Sequence, residues 1–239
     1  MLTFRDILSD MLAVIYPDKC MICGAHVERG VHSMCMMCRY KIPLTGYCYR
    51  SDNPIKEYFD TLIPTEQCSA MFFYKSESLW RSAIHRFKYS GAWNIAYRLG
   101  GWYGSELKAS GLYDDVDIII PVPLHWTKTM KRGYNQCNYI AAGMAKELGI
   151  KVDRGILYRR RNNPSQTQQS SYERWDNVND IFAVRHPERL RYRHVLIVDD
   201  VLTTGATINS CAHAILEAAP SCKISIATLA VAGRLSRHL

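Results

Sequence analysis

Apolar side chains at Leu2, Phe4, Ile7, Leu8, Met11, Leu12 and Ile15 recur at close to helical spacing and stop before Pro17, which predicts a helix over residues 1–17. Residues 18–50 have no such period; Gly24, Gly30, Pro43 and Gly46 punctuate short turns, and the polar stretch Ser51-Asp52-Asn53-Pro54 reads as a linker. From residue 68 the pattern changes. Residues 69–74 read as a strand, 79–89 as a helix closed by Gly91, and 93–108 as a second helix. The apolar run 116–122, interrupted only by Asp117, is that of a strand buried on both faces. A helix is expected over 133–148, where Ile140, Met144 and Leu148 are spaced by four, and weaker strands over 152–158 and 181–184. Residues 194–201 form a second buried-type strand, followed by a Thr/Gly turn at 203–207, a helix to residue 219 and a last strand over 223–232. Strands alternating with helices of this length predict an α/β fold, an open parallel sheet with helices on both faces. The polar loop 159–179 is too long for a mere connection in a compact domain.

Composition narrows the setting. No uncharged apolar run reaches the roughly 18 residues of a membrane-spanning helix, and Arg5, Asp6 and Asp10 interrupt any secretory h-region. A cytoplasmic protein is expected. The net charge of +8 is uneven: residues 1–150 hold 17 basic and 14 acidic side chains, residues 151–195 hold 10 and 5, and residues 196–239 hold three of each. More than half of the excess thus falls in 45 residues, which suggests an anionic partner there, polyphosphate or nucleic acid, or else a solvated surface.

Four of the nine cysteines form two Cys-x-x-Cys pairs, Cys20/Cys23 and Cys35/Cys38, separated by 11 residues. Each such turn presents two sulfurs to one metal, and two turns close a tetrahedral zinc site with no open position, so the expected zinc is structural. A segment this small has little apolar core, so the metal supplies much of its folding energy. Four cysteines suffice without His26 or His32, and Cys48 reads as a bystander.

The segment 194–207 is a buried strand ending in Asp199 and Asp200, then a turn of Thr203, Thr204, Gly205, Ala206 and Thr207 that opens a helix. A helix N-terminus offers unpaired N–H groups and a positive dipole end, a cradle for phosphate; the threonines add hydroxyls, and glycine lets the backbone approach an anion. The carboxylates suit sugar hydroxyls or the ordering of a Mg²⁺ shell. Residues 198–207, Val-Asp-Asp-Val-Leu-Thr-Thr-Gly-Ala-Thr, closely resemble the phosphoribosyl pyrophosphate (PRPP) signature of type I phosphoribosyltransferases. The resemblance implies that Asp199 and Asp200 hold the ribose hydroxyls and that residues 203–207 hold the 5′-phosphate.

Further segments resemble one family within that fold, the ComF proteins, which are competence-associated and carry an N-terminal zinc module ahead of a phosphoribosyltransferase domain. These segments are Phe87-Lys-Tyr-Ser-Gly91, Pro121-Val-Pro-Leu124, Lys131-Arg-Gly-Tyr-Asn-Gln136, and Arg159 through Gln168 to Arg174 and Asn177. The resemblance implies a type I phosphoribosyltransferase-like open parallel sheet flanked by helices, with a small zinc-ribbon module. It divides the chain into residues 1–55, a helix and four-cysteine zinc module, and residues 68–239, the phosphoribosyltransferase-like domain. Some relatives carry a second pair of knuckles, whereas only Cys48 stands in the corresponding stretch. The loop at Pro121, Val122, Pro123 and Leu124 would hold pyrophosphate through backbone N–H groups. Lys131 and Arg132 could neutralise phosphates or form a solvated basic face. The loop 159–179 would be a hood closing over PRPP, with Arg159, Arg160, Gln168 and Arg174 in it. Those arginines could instead track a single DNA strand, with Tyr172 and Trp175 as stacking faces. Two functions follow: Mg²⁺-dependent phosphoribosyl transfer to a nitrogen acceptor, or single-strand handling during DNA uptake with competence proteins as partners. A nucleotide-sensing regulator is a third.

Overall fold

The computed structural model describes residues 19–27, 34–74, 79–160 and 181–233. The expected helix over 1–17 and most of the hood loop, with Gln168, Tyr172, Arg174 and Trp175, lie outside them.

Five parallel strands make the sheet, in the order β1 (Cys68–Phe73), β7 (Lys223–Val231), β6 (His194–Leu202), β2 (Ile118–Pro121) and β3 (Lys151–Val152). Strand β6 lies in the middle, and its alternate side chains enter two different cores. Leu196 and Val198 pack with Trp80, Phe87, Leu99, Tyr103, Ile140 and Met144 from α3 (Leu79–Tyr89), α4 (Trp93–Ser110) and α6 (Gln136–Leu148). Val195 and Ile197 pack with Ile55, Phe59, Ile208 and Ile215 from α2 (Pro54–Asp60) and α7 (Ala206–Ala218) on the other face. Burial on both faces explains the uninterrupted apolar run in β6, as expected for a parallel sheet.

Helices α4 and α6 cross at backbone contact. A Cβ on Gly143 would fall on the Tyr97 carbonyl, and one on Gly100 would fall on that of Ile140. Only glycine permits this approach.

Three expectations change. The stretch 51–54 is not a linker. Asn53 is buried and caps α2, its Oδ1 accepting from the N–H groups of Ile55 (3.1 Å) and Lys56 (3.2 Å) while its amide donates to the Cys68 carbonyl at 2.9 Å. The helix expected over 133–148 starts later, as α6, after Asn135, which accepts from Cys137 N–H at 3.0 Å, and a helix not expected, α5 (Trp126–Arg132), precedes it and ends at Gly133, whose φ is 78°. No residue of α5 is buried, so it has no apolar stripe to read. The strand expected over 152–158 breaks at Asp153, whose Oδ1 accepts from Gly155 and Ile156 N–H at 2.9 Å each; β4 (Leu157–Arg159) then leaves the sheet and pairs antiparallel with β5 (Phe182–Val184).

The cysteine knuckles are joined to this body. Cys20, Ile22, Met34, Cys38, Ile42 and Cys48 belong to the same apolar cluster as α3 and α4, and the Arg86 guanidinium donates to the carbonyls of Met21 and Ile22. Helix α1 (Met36–Tyr40) is built into the second knuckle, with Cys35 as its N-cap and Cys38 within it, and Arg39 lies over the Trp102 ring at 5.8 Å.

Candidate functional site

Four elements converge on the acidic end of β6. Asp200 is buried, and its Oδ2 accepts from Gln136 Nε2 at 2.7 Å and faces Lys88 Nζ at 3.0 Å. Asp199 is half-buried; its Oδ1 accepts from the Asp200 N–H at 2.8 Å and from the Cys137 thiol at 3.3 Å. Burial and the adjacent Asp200 charge push the Asp199 carboxyl up to about 6, and hydrogen bonds from Asp200 and Cys137 offset only part of that rise. Burial, reinforced by both carboxylates, also pushes the Cys137 thiol up, so it serves as a donor and not as a thiolate.

Beyond β6 the chain turns through Thr203 and Thr204, both exposed, into α7. Gly205 takes a φ of 76°, and a Cβ there would lie 2.8 Å from the Tyr58 ring. Tyr58 also donates its hydroxyl to the Thr204 carbonyl at 2.8 Å, so α2 props the turn from beneath. Gly205 offers no side-chain cap, and Thr204 Oγ1 reaches Ala206 N–H only at 3.5 Å. The first-turn N–H groups of the 13-residue α7 therefore open onto a shallow cleft running from Asp199 to Ile208. Such an arrangement suits one ligand with an anionic end and a hydroxylated end.

The neighbouring loop is less generous than its sequence suggested. Pro121 pairs in register with Val198, which sets residues 121–124 beside the acidic pair. Pro121 and Pro123 have no N–H, and the Val122 N–H is taken by the Val198 carbonyl at 2.9 Å. Of these four residues Leu124 alone has an N–H to give an anion. Arg159 ends β4 with its guanidinium 5.4 Å over the Phe182 ring, and Arg160 N–H bonds the Ile181 carbonyl at 2.8 Å.

The four knuckle cysteines bring their sulfurs within 4.8 Å of one another, and Cys23 and Cys35 stand 3.7 Å apart. A tetrahedron with Zn–S bonds of about 2.3 Å has edges of about 3.8 Å, so the spacing fits zinc. Backbone N–H groups of Ile22 and Cys38 point at the sulfurs of Cys20 and Cys35, each at 3.4 Å. Burial alone would raise the Cys20 thiol, but hydrogen bonds from the backbone of Cys23, Cys35 and Ile22 bring it down to about 6; burial and the neighbouring thiols push Cys38 up. Four thiolates cannot coexist here without a cation between them, the chemistry a closed zinc site supplies. Cys48 is buried apart from this cluster, and burial pushes it up to about 11.

Sequence reasoning missed Lys88, Gln136, Cys137 and Tyr58 as site residues. Lys88 and Gln136 stood inside segments singled out for their resemblance, but nothing gave them a role; Tyr58 carried no signal.

Residues 135–238 match the phosphoribosyl transferase domain family. Competence protein F of Haemophilus influenzae is 25% identical over 208 residues, 80% of this chain and 87% of that protein. The DNA utilization protein YhgH of Escherichia coli (strain K12) is 31% identical over 137 residues, 56% of this chain and 59% of that protein. Competence protein ComFC of Bacillus subtilis (strain 168) is 22% identical over 228 residues, 94% of this chain and 90% of that protein. Zinc-type knuckles packed onto a phosphoribosyl transferase domain, in a chain matched along most of its length by two competence proteins, make this protein a member of the ComF family.

Proposed function

We propose that the cleft at the end of β6 binds PRPP with Mg²⁺, and that the protein uses it in the service of DNA uptake and utilization. The observation that carries this reading is the juxtaposition of Asp199 and Asp200 with the uncapped N-terminus of α7. In this reading Asp199 and Asp200 take the ribose hydroxyls, residues 203–207 take the 5′-phosphate, and the loop at 121–124 meets pyrophosphate through Leu124. Residues 159–179 form the hood, with Arg159, Arg160, Gln168 and Arg174. Mg²⁺ would arrive with PRPP and neutralise the departing pyrophosphate. Phosphoribosyl transfer to a nitrogen acceptor is the matching reaction. Cys137 is held as a thiol and Lys88 is committed to Asp200, so neither serves as its general base.

The DNA context comes from the names of the relatives, DNA utilization and competence. It supports a second, non-enzymatic reading, in which PRPP or a nucleotide regulates single-strand handling. The two-part organisation, 1–55 and 68–239 with α2 at the join, and a cytoplasmic setting belong to the same proposal. The nine cysteines are unpaired, as in a reducing compartment, and no helix among the described residues is long and apolar enough to cross a membrane.

Calorimetric titration with PRPP and Mg²⁺ tests the site. The Asp199→Ala, Asp200→Ala double variant should lose at least about a hundredfold in affinity, from two charge-assisted hydrogen bonds of about 1.5 kcal/mol or more each. Wild-type affinity in the variant removes the site assignment. Pyrophosphate release on adding a purine or pyrimidine base distinguishes transfer from binding alone.

A further inference from the structure

We propose that the turn between α3 and α4, with the outer face of α5, is a stacking ledge for single-stranded DNA, distinct from the sugar-phosphate cleft. Two of the chain's acid-free stretches meet here. Residues 79–105 carry four Lys or Arg and no Asp or Glu, and residues 118–146 repeat that count. The fold brings these stretches together. The Arg132 guanidinium lies 5.0 Å over the Tyr89 ring, the Tyr134 hydroxyl donates to the Phe87 carbonyl, and Trp93 stacks on Tyr139 at 5.2 Å with 30° between the planes. His85 packs 4.7 Å from Tyr89.

These contacts orient the rings without covering them. Tyr89 is 56% exposed and Trp93 49%. Trp126, 51% exposed, stands with Lys128 and Lys131 on α5, the helix without a buried residue. A single exposed ring is ordinary. Three exposed rings, each held against a neighbouring aromatic or cationic group, within two acid-free stretches offer π-faces and positive charge together. Nucleobases with phosphates between them match that pairing. In a duplex the bases already stack on each other, so the complementary ligand is a single strand. DNA is chosen over RNA on the DNA context of the reading above. The ledge rests on that part of the reading and is independent of PRPP.

The test is fluorescence anisotropy of the full zinc-loaded chain with labelled dT20, rU20 and a 20-base-pair duplex. The expected result is preference for dT20, with affinity falling with salt at a log–log slope of about −3, roughly four phosphates engaged at −0.7 each. Tyr89→Ala with Trp93→Ala should weaken binding at least about tenfold, given the worth of base–aromatic stacking. Tyr89→Phe with Trp93→Phe keeps the ring faces and should stay within about threefold of wild type, which also shows that these positions tolerate change without unfolding. The Asp199→Ala, Asp200→Ala variant, which frees Lys88 from Asp200, should bind dT20 at least as tightly as wild type, so failure of the PRPP site leaves this result readable. No binding of dT20, tighter binding of the duplex or of rU20, wild-type affinity in the alanine pair, or equal losses in the alanine and phenylalanine pairs would each overturn the ledge.

Discussion

Gly205 answers two constraints at once: a φ of 76° and a tyrosine ring 2.8 Å from where a Cβ would stand. Gly205→Ala is expected to cost about 1–2 kcal/mol from the left-handed backbone, and more as Tyr58 gives way. The melting temperature and PRPP affinity should fall together while zinc content stays at one per chain; an unchanged melting temperature would show that the turn accepts a side chain. Residues such as Gly205, Asp199 and Asp200 were legible because a buried strand, its terminal charges and the turn chemistry follow one another without interruption. Gln136 and Tyr58 were not. Gln136 reaches Asp200 across 64 residues, and Tyr58 reaches Thr204 across 146. Lys88 holds the same carboxylate from a third element. No local pattern encodes which distant polar group meets a strand end, because three helices must first be packed.

At the scale of elements, Asn53 joins α2 to β1: one amide side chain caps the helix and satisfies a strand carbonyl. Asn53→Ala removes a cap and leaves a buried carbonyl unpaired, which should lower stability by about 2–3 kcal/mol in denaturant titration. A loss under about 0.5 kcal/mol would mean that the chain finds another cap. Elements with a strong burial signature were read correctly from sequence: β2 and β6 through their apolar runs, α6 through Ile140, Met144 and Leu148 spaced by four. Helix α5 was overlooked because the absence of a buried side leaves no period, and residues 152–158 were read as one strand because Asp153 turns the chain through a side-chain hydrogen bond that hydropathy does not register. The site suffered in the same way. The loop 121–124 was expected to offer a row of N–H groups, yet its prolines and the bond from Val122 to Val198 leave one.

The molecule as a whole is less divided than a metal module attached to a domain would be. Apolar side chains between Cys20 and Cys48 complete the core over α3 and α4, and Arg86 ties the first knuckle to α3. Removing zinc with a chelator should therefore reduce amide protection along Trp80–Phe87 as well as in residues 19–50, while β6 and β7 stay protected. Hydrogen exchange confined to residues 19–50 would show instead that the module unfolds alone. The sheet's connectivity also bears on how the chain comes into being. Strand β1 takes its partner from β7, pairing Cys68 with Ile226. On a ribosome, residues 68–73 emerge some 150 residues before residues 223–231, and the strand Cys-Ser-Ala-Met-Phe-Phe carries no charge to keep it from other edges. Until the last strand is translated, this uncharged edge lacks its neighbour, and holding it apart falls to chaperones or to the helices already made.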